Sequence, residues 1–226
     1  GYKHVHSILG QGETRALYTE INNKYVHTPK MIIEQYDISL EQQPETFVSE
    51  VTMKGLALEP ATVFTFCLNP GLQVQEIKRG GNNLDFKRDN QILLVDFGQE
   101  IIPGDTVTFS VKYGGKIDSK FCYLDIPAEV LQKEYRDFLF NIDKQYVFQT
   151  EDYLLFTPET YWYPRPGTAY SNVSPDWQQT YFSKFGLQVK PLPGLTPLSQ
   201  GEGVKEEDGS YSFAPEYPVQ AISLIV

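Results

Sequence analysis

Histidine is nearly absent from this chain: His4, His6 and His27 are the only three in 226 residues, and all lie near the start. A hydrolytic zinc site built on one helix needs two histidines four apart with a glutamate between them, so that both rings share a face. No such pair exists. His4 and His6 alone make a weak metal site, because two imidazoles lack a third ligand and chain ends are loosely held. The same scarcity removes the usual base for a nucleophilic serine, and there is no G-x-S-x-G elbow. Cysteine is just as rare, with Cys67 and Cys122 inside the apolar, strand-like runs FTFCLN and KFCYLD. Disulfide scaffolds are cysteine-dense, so two buried thiols are expected. Basic clusters are missing too: with 19 Lys and Arg against 29 Asp and Glu, a net charge of −10 offers no surface for nucleic acid. No apolar run reaches the ~18 residues of a membrane span, and the opening GYKHVHSILGQGE has neither the basic flank nor the apolar centre of a signal peptide.

What is abundant points to strands and corners. Fourteen Phe and 15 Tyr suit pleated surfaces, while 15 Pro and 17 Gly supply turns. The expected fold class is therefore all-β, one large antiparallel β sandwich, with a short N-terminal helix and one inserted amphipathic helix. Leu17, Ile21 and Tyr25 recur every four residues and place the first helix at 14–26, with Thr14 as N-cap. Leu131, Tyr135, Phe138 and Ile142 share a face and place the second at 127–143. Between them, MIIEQYDISLEQQ alternates through Ile33, Tyr36, Ile38 and Leu40, and TFVSEVTMKGLAL through Val48, Val51, Met53 and Leu56. Further strand runs are cut at Asn69-Pro70-Gly71, Arg79-Gly80-Gly81-Asn82, Arg88-Asp89-Asn90 and Pro103-Gly104-Asp105. Gly80-Gly81 and Gly114-Gly115 do not sit between a strand and a helix, so they read as turns rather than a phosphate cradle. The expected organisation is a lead-in and connector helix over 1–29 and a single β domain over 30–226.

Few side chains carry chemistry. Glu206-Glu207-Asp208 reads as a solvated hairpin tip, Glu50 and Asp96 as outward-facing strand residues, and Asn172-Val173-Ser174, followed by Pro175, as a polar loop. The unusual stretch is residues 153–166, YLLFTPETYWYPRP, where Trp162 stands between Tyr161 and Tyr163 just before Pro164 and Pro166. Rings of that size bury large areas and prolines fix φ, so the segment must pack against something. It suits either a hydrophobic plug between sheets or a ligand-contacting surface. If Tyr161, Trp162 and Tyr163 were exposed and coplanar, they would form a stacking platform for carbohydrate. An interaction module docking through the 127–143 helix is a further reading.

The order of these signals carries a resemblance. The two long opening strands, the run LNPGLQVQEIKRGGNNLDFKRDNQILLVDFGQEIIPGDTVTFSVKYGG, the segment YLLFTPETYWYPRPG and the closing SPDWQQTYFSKFGLQVKPLPGLTPLSQGE resemble the N-terminal domain of the aminopeptidase N family of zinc metallopeptidases, over residues 30–226. The resemblance implies a saddle-shaped β sandwich that precedes a thermolysin-like catalytic domain. It implies a non-catalytic chain without a cofactor of its own, since zinc and the general base belong to that following domain, the expected partner. It also implies that the strand ending at Thr157 faces the active-site cleft, with a peptide substrate at the domain edge and Thr157, Glu159, Tyr161, Tyr163 and Arg165 as candidate contacts. The family commonly places a glutamine after that threonine to meet the peptide's amino end. Here Pro158 stands in its place, and Glu159 is the carboxylate available instead. The Arg165-Pro166-Gly167 departure is similar to a bacterial branch in which this region is attached to a transporter-like membrane protein, which implies an extracytoplasmic setting.

Overall fold

The computed structural model describes residues 17–25, 28–123, 147–169 and 181–226. The strands, in chain order, are β1 (Met31–Gln43), β2 (Thr46–Ala57), β3 (Ala61–Cys67), β4 (Leu72–Arg79), β5 (Asn82–Asn83), β6 (Asp85–Asp89), β7 (Ile92–Ile101) and β8 (Thr106–Gly115), followed by β9 (Val147–Gln149), β10 (Leu154–Phe156), β11 (Arg165–Pro166), β12 (Lys184–Lys190), β13 (Leu198–Ser199), β14 (Gly203–Lys205), β15 (Tyr211–Phe213) and β16 (Leu224–Ile225). Among the described residues they make one eight-stranded sheet, in the order β14-β15-β12-β1-β2-β8-β4-β5. Two four-stranded sheets accompany it, β13-β16-β10-β9 and β11-β3-β7-β6. The expected all-β sandwich is found.

Period-two burial explains the large sheet. Phe47, Ser49, Val51, Met53 and Ala57 of β2 point inward, and Phe109, Val111 and Tyr113 of the neighbouring β8 do the same. Phe109 meets Phe66 of β3 at 5.6 Å and Phe97 of β7 at 5.2 Å between ring centroids, which seats one small sheet. Phe156 of β10 meets Phe47 at 5.1 Å, which seats the other. Val48 and Leu56, expected inside, lie half-buried on the opposite face, because they are an odd number of residues from Val51 and Met53.

β1 breaks its own alternation. The register slips between Ile33 and Gln35, a bulge that gives the strand one extra residue. Ile33 and Tyr36, three apart, are both buried as a result. One pairing departs from the antiparallel expectation: β12 runs parallel to β1, from Gln35↔Lys184 to Glu41↔Lys190. A parallel neighbour needs a long crossover, and the intervening chain, which builds all of the β11-β3-β7-β6 sheet and strands β9 and β10 of the other, supplies it.

Two glycines are set by close approach. A Cβ on Gly71 would overlap the Lys116 carbonyl, and one on Gly114 would come within 2.5 Å of the Phe47 oxygen. Gly114 and Gly115, expected as a turn, are therefore the end of β8, paired with both β2 and β4. Gly80 and Gly81 do form a turn, both with positive φ.

Residues 17–23 are helical, with Tyr18, Ile21 and Asn22 buried and Leu17 exposed, so the inward stripe is rotated from the expected Leu17, Ile21 and Tyr25. Polar anchors decide the rotation: Gln91 Nε2 donates to the Tyr18 carbonyl and to Asn22 Oδ1, both at 2.8 Å, and Asn22 Nδ2 donates to the Ala169 carbonyl at 3.2 Å. Thr14, the helix expected at 127–143, the Asn172 loop and all three histidines lie outside the described residues. Cys67 and Cys122 are buried thiols, and burial pushes the Cys67 thiol up to about 12.

Burial also raises the phenols of Tyr36, Tyr113 and Tyr163 above their ordinary value of 10.0. Each ionises later in the folded chain than in the unfolded one. The stability they contribute is therefore intact below about pH 10 and falls as the pH rises further. The urea midpoint should be lower at pH 11 than at pH 8; equal midpoints would contradict the burial of these hydroxyls.

Candidate functional site

The aromatic segment is positioned from below by one amide. Asn69, fully buried, donates through Nδ2 to the carbonyls of Thr160 at 2.9 Å and Asp118 at 3.2 Å. Its Oδ1 accepts from the backbone N–H of Gly71 at 2.9 Å and of Asp118 at 2.8 Å, while its own N–H donates to the Tyr161 carbonyl at 2.8 Å. Arg88 closes the turn from the other side, Nη2 donating to the carbonyls of Leu68, Asn69 and Leu72 at 3.3, 3.0 and 3.3 Å. Burial lowers its guanidinium to about 10, which still leaves it cationic at neutral pH.

On this platform the chain leaves β10 and makes one 3₁₀ turn, Pro158–Thr160, which Pro158 starts with its fixed φ. Thr157 precedes it in extended backbone, and its carbonyl accepts from the Thr160 N–H at 3.1 Å and hydroxyl at 2.6 Å. Glu159 is half-buried in the turn. Tyr161 ends the turn in the left-handed region, φ 50° and ψ 45°, uncommon for a bulky residue. Its ring is held by Phe121 at 5.6 Å and by the Arg165 guanidinium at 5.0 Å from its centroid.

The next two rings turn inward. Trp162 is fully buried and Tyr163 is 2% exposed, with ring planes at 75° to each other. Trp162 packs against Phe156 at 5.8 Å and donates through Nε1 to the Ile222 carbonyl at 3.0 Å. The Ile222 N–H in turn donates to the Tyr163 hydroxyl at 3.1 Å. Both backbone groups of Ile222 are thus satisfied by adjacent rings of this segment. The plug reading describes Trp162 and Tyr163; the flat, exposed platform that stacking on carbohydrate requires is not there.

The five expected contact residues fall into two groups. Thr157 and Glu159 sit on the turn at the end of β10. Tyr161, Tyr163 and Arg165 gather around the Arg165 guanidinium, whose Nη1 also donates to the Pro158 carbonyl at 3.4 Å. Arg165 and Tyr163 open onto a cavity of about 80 Å³ whose walls include Tyr36, Ile33, Val219 and Ala221. Sequence reasoning missed Asn69, read only as the first residue of a turn, and Tyr36, read only as core. No motif marks either, since both become partners of the segment only through pairings about 90 to 130 residues apart.

Among the described residues no group of three or more His, Cys, Asp and Glu is placed to hold a metal ion, and no helix is long and apolar enough to cross a membrane. No protein-family model matches the sequence, and no curated protein does. Solved structures do match in three dimensions. An M1 zinc metallopeptidase from Deinococcus radiodurans superposes with a TM-score of 0.66 at 15% identity, covering 88% of this chain and 43% of that one. The fold is shared with M1 zinc metallopeptidases. A mutant M1 enzyme from the same organism, solved with a Tyr-Ser-Ala substrate, gives 0.64 at 17% identity over 87% of this chain and 42% of its own. Native yeast LTA4 hydrolase gives 0.59 at 13% over 87% and 28%. The chain thus spans less than half the length of each, and at these identities what is common is the fold.

Asn69→Ala would strand the Asp118 N–H and the Thr160 carbonyl in the interior. The expected loss of stability is about 2–4 kcal/mol in urea unfolding. Trp162→Phe, which leaves the Ile222 carbonyl without its donor, should cost about 1–3 kcal/mol. A loss below about 0.5 kcal/mol for either would contradict the anchoring described.

Proposed function

We propose that this chain is the non-catalytic N-terminal β domain of a peptidase-like protein, where it braces a zinc-binding catalytic domain and walls one side of its cleft. The observation that carries the reading is an apolar row across the outer face of one small sheet. Leu198 of β13 pairs with Ile225 of β16, Ile225 with Leu155 of β10, and Leu155 with Phe148 of β9. Four strands thus present one side chain each in a single line. Leu198, Ile225 and Phe148 are exposed, and Tyr153, itself exposed, packs its ring on Phe148 at 5.7 Å.

Scattered apolar side chains are normal on a surface, but a contiguous line of them marks a place where another surface belongs. The same strand β10 that crosses the row leads directly into Thr157 and Glu159. A neighbour seated on the row would therefore lie beside those two residues. This is the arrangement expected if they face a peptide's amino end, with the Glu159 carboxylate in the role of the missing glutamine. Two-domain M1 zinc metallopeptidases are among the solved structures that share the fold, which supports a second domain as the occupant.

In the polypeptide that carries both domains, Leu198→Lys with Ile225→Lys should split one cooperative unfolding transition into two. The same pair in the 226-residue chain alone should change stability by less than about 1 kcal/mol, since neither side chain is in the core. A single unchanged transition would remove the row as the docking face. The chain alone is expected to bind no stoichiometric zinc and to release no residue from an aminoacyl substrate; chelator-sensitive hydrolysis by pure material would overturn the reading.

A further inference from the structure

The Arg165 cavity lies apart from the apolar row, and nothing in the bracing role accounts for its polar lining. Arg165 is a guanidinium, charged at any working pH, half-buried against Tyr161. Among the described residues it has no carboxylate partner: it lies over the Tyr161 ring and donates to the Pro158 carbonyl at 3.4 Å. A cation withdrawn from water without a counter-charge is costly, so sites of this kind are completed by an anion.

A second, independent feature points the same way. Tyr36 is 4% exposed and its side chain lines the cavity, yet no hydrogen bond to its hydroxyl exists among the described residues. The Tyr163 ring stands edge-on to it at 5.2 Å. The Tyr163 hydroxyl accepts from Ile222 and keeps its own proton to donate. Both phenols stay protonated far into the alkaline range, because burial holds them neutral. The β1 bulge is what delivers Tyr36 here, since it turns both Ile33 and Tyr36 to the same side.

We infer that this cavity binds one carboxylate group on a short apolar stem, with Arg165 as counter-charge and the Tyr36 and Tyr163 hydroxyls as donors. One fixed positive charge and two neutral donors match a monoanion with two oxygens. The rest of the wall holds apolar Ile33, Val219 and Ala221, which suit one or two carbon groups, beside the polar Tyr181, Ser183 and Gln220. At about 80 Å³ the space equals roughly three waters at liquid density, which is room for a carboxylate and a short stem and too little for a nucleotide or a sugar. A free organic acid and the C-terminal end of a peptide share this chemistry. The inference does not rest on the bracing role.

The test titrates the 226-residue chain with propionate and, separately, with a blocked tripeptide bearing a free C-terminus, following the Ile222 amide by NMR because it donates to Tyr163. Propionamide and the amidated tripeptide, at matched ionic strength, are the controls. The expected result is a saturable shift with the acids and none with the amides; the tighter of the two acids identifies the source. Tyr36→Phe removes a hydroxyl that the fold does not use, so the variant should fold and bind about tenfold more weakly. Arg165→Met should abolish binding; if it fails to fold, Tyr36→Phe decides alone. Absence of a saturable shift with either acid, or undiminished affinity in folded Tyr36→Phe, would overturn the proposal.

Discussion

The side chain of Asn69 makes four hydrogen bonds in the interior, and the placement of the aromatic segment depends on them. It joins the turn after β3, the loop around Asp118 and the turn of residues 158–160. These segments come from three distant parts of the chain. Each bond exchanges a peptide group's contact with water for one inside the protein, so its net gain is small, but leaving any one unmade is expensive. A hub of this kind specifies a geometry more than it adds stability. Asn suits it because one amide offers donors and an acceptor within a single planar group.

From that hub the segment turns in two directions. Trp162 and Tyr163 go inward and take both backbone groups of Ile222, tying the end of the chain to the middle of the fold. Tyr161 takes a left-handed backbone, which turns the following residue back toward the core, and its ring is held by the Arg165 guanidinium over its face and by Phe121 edge to face. The outcome is a strand end, with Thr157 and Glu159 at its tip, that has little freedom to move. The proposed role beside a cleft calls for that property, because positional error in a contacting group weakens binding steeply.

Much of this was legible in the residues and some was not. Alternation marked β1 and β2, and Gly, Pro and Asn at the corners marked the turns, because those signals are local and have one physical cause each. The aromatic run announced that it would be buried, but only a structure could divide it, with Tyr161 at the rim and its two neighbours inside. Val48 and Leu56 were misplaced because hydrophobicity does not report the phase of a strand. Gly114 and Gly115 were read as a corner, since nothing local shows that a neighbouring backbone passes too close for a side chain. The roles of Asn69 and Tyr36 rest on partners far along the chain, and a one-dimensional pattern holds no record of them.

The parallel pairing of β1 with β12 has a consequence for synthesis. β1 ends at Gln43 and β12 begins at Lys184, so roughly 140 residues must leave the ribosome before β1 gains its second neighbour. At typical translation speeds that delay is on the order of ten seconds, during which the nascent β1 offers an open row of peptide groups. The outward residues of that strand include Glu34, Asp37 and Glu41. Charged side chains on an edge strand are a general device against pairing with other chains, and these three carboxylates place that device on β1.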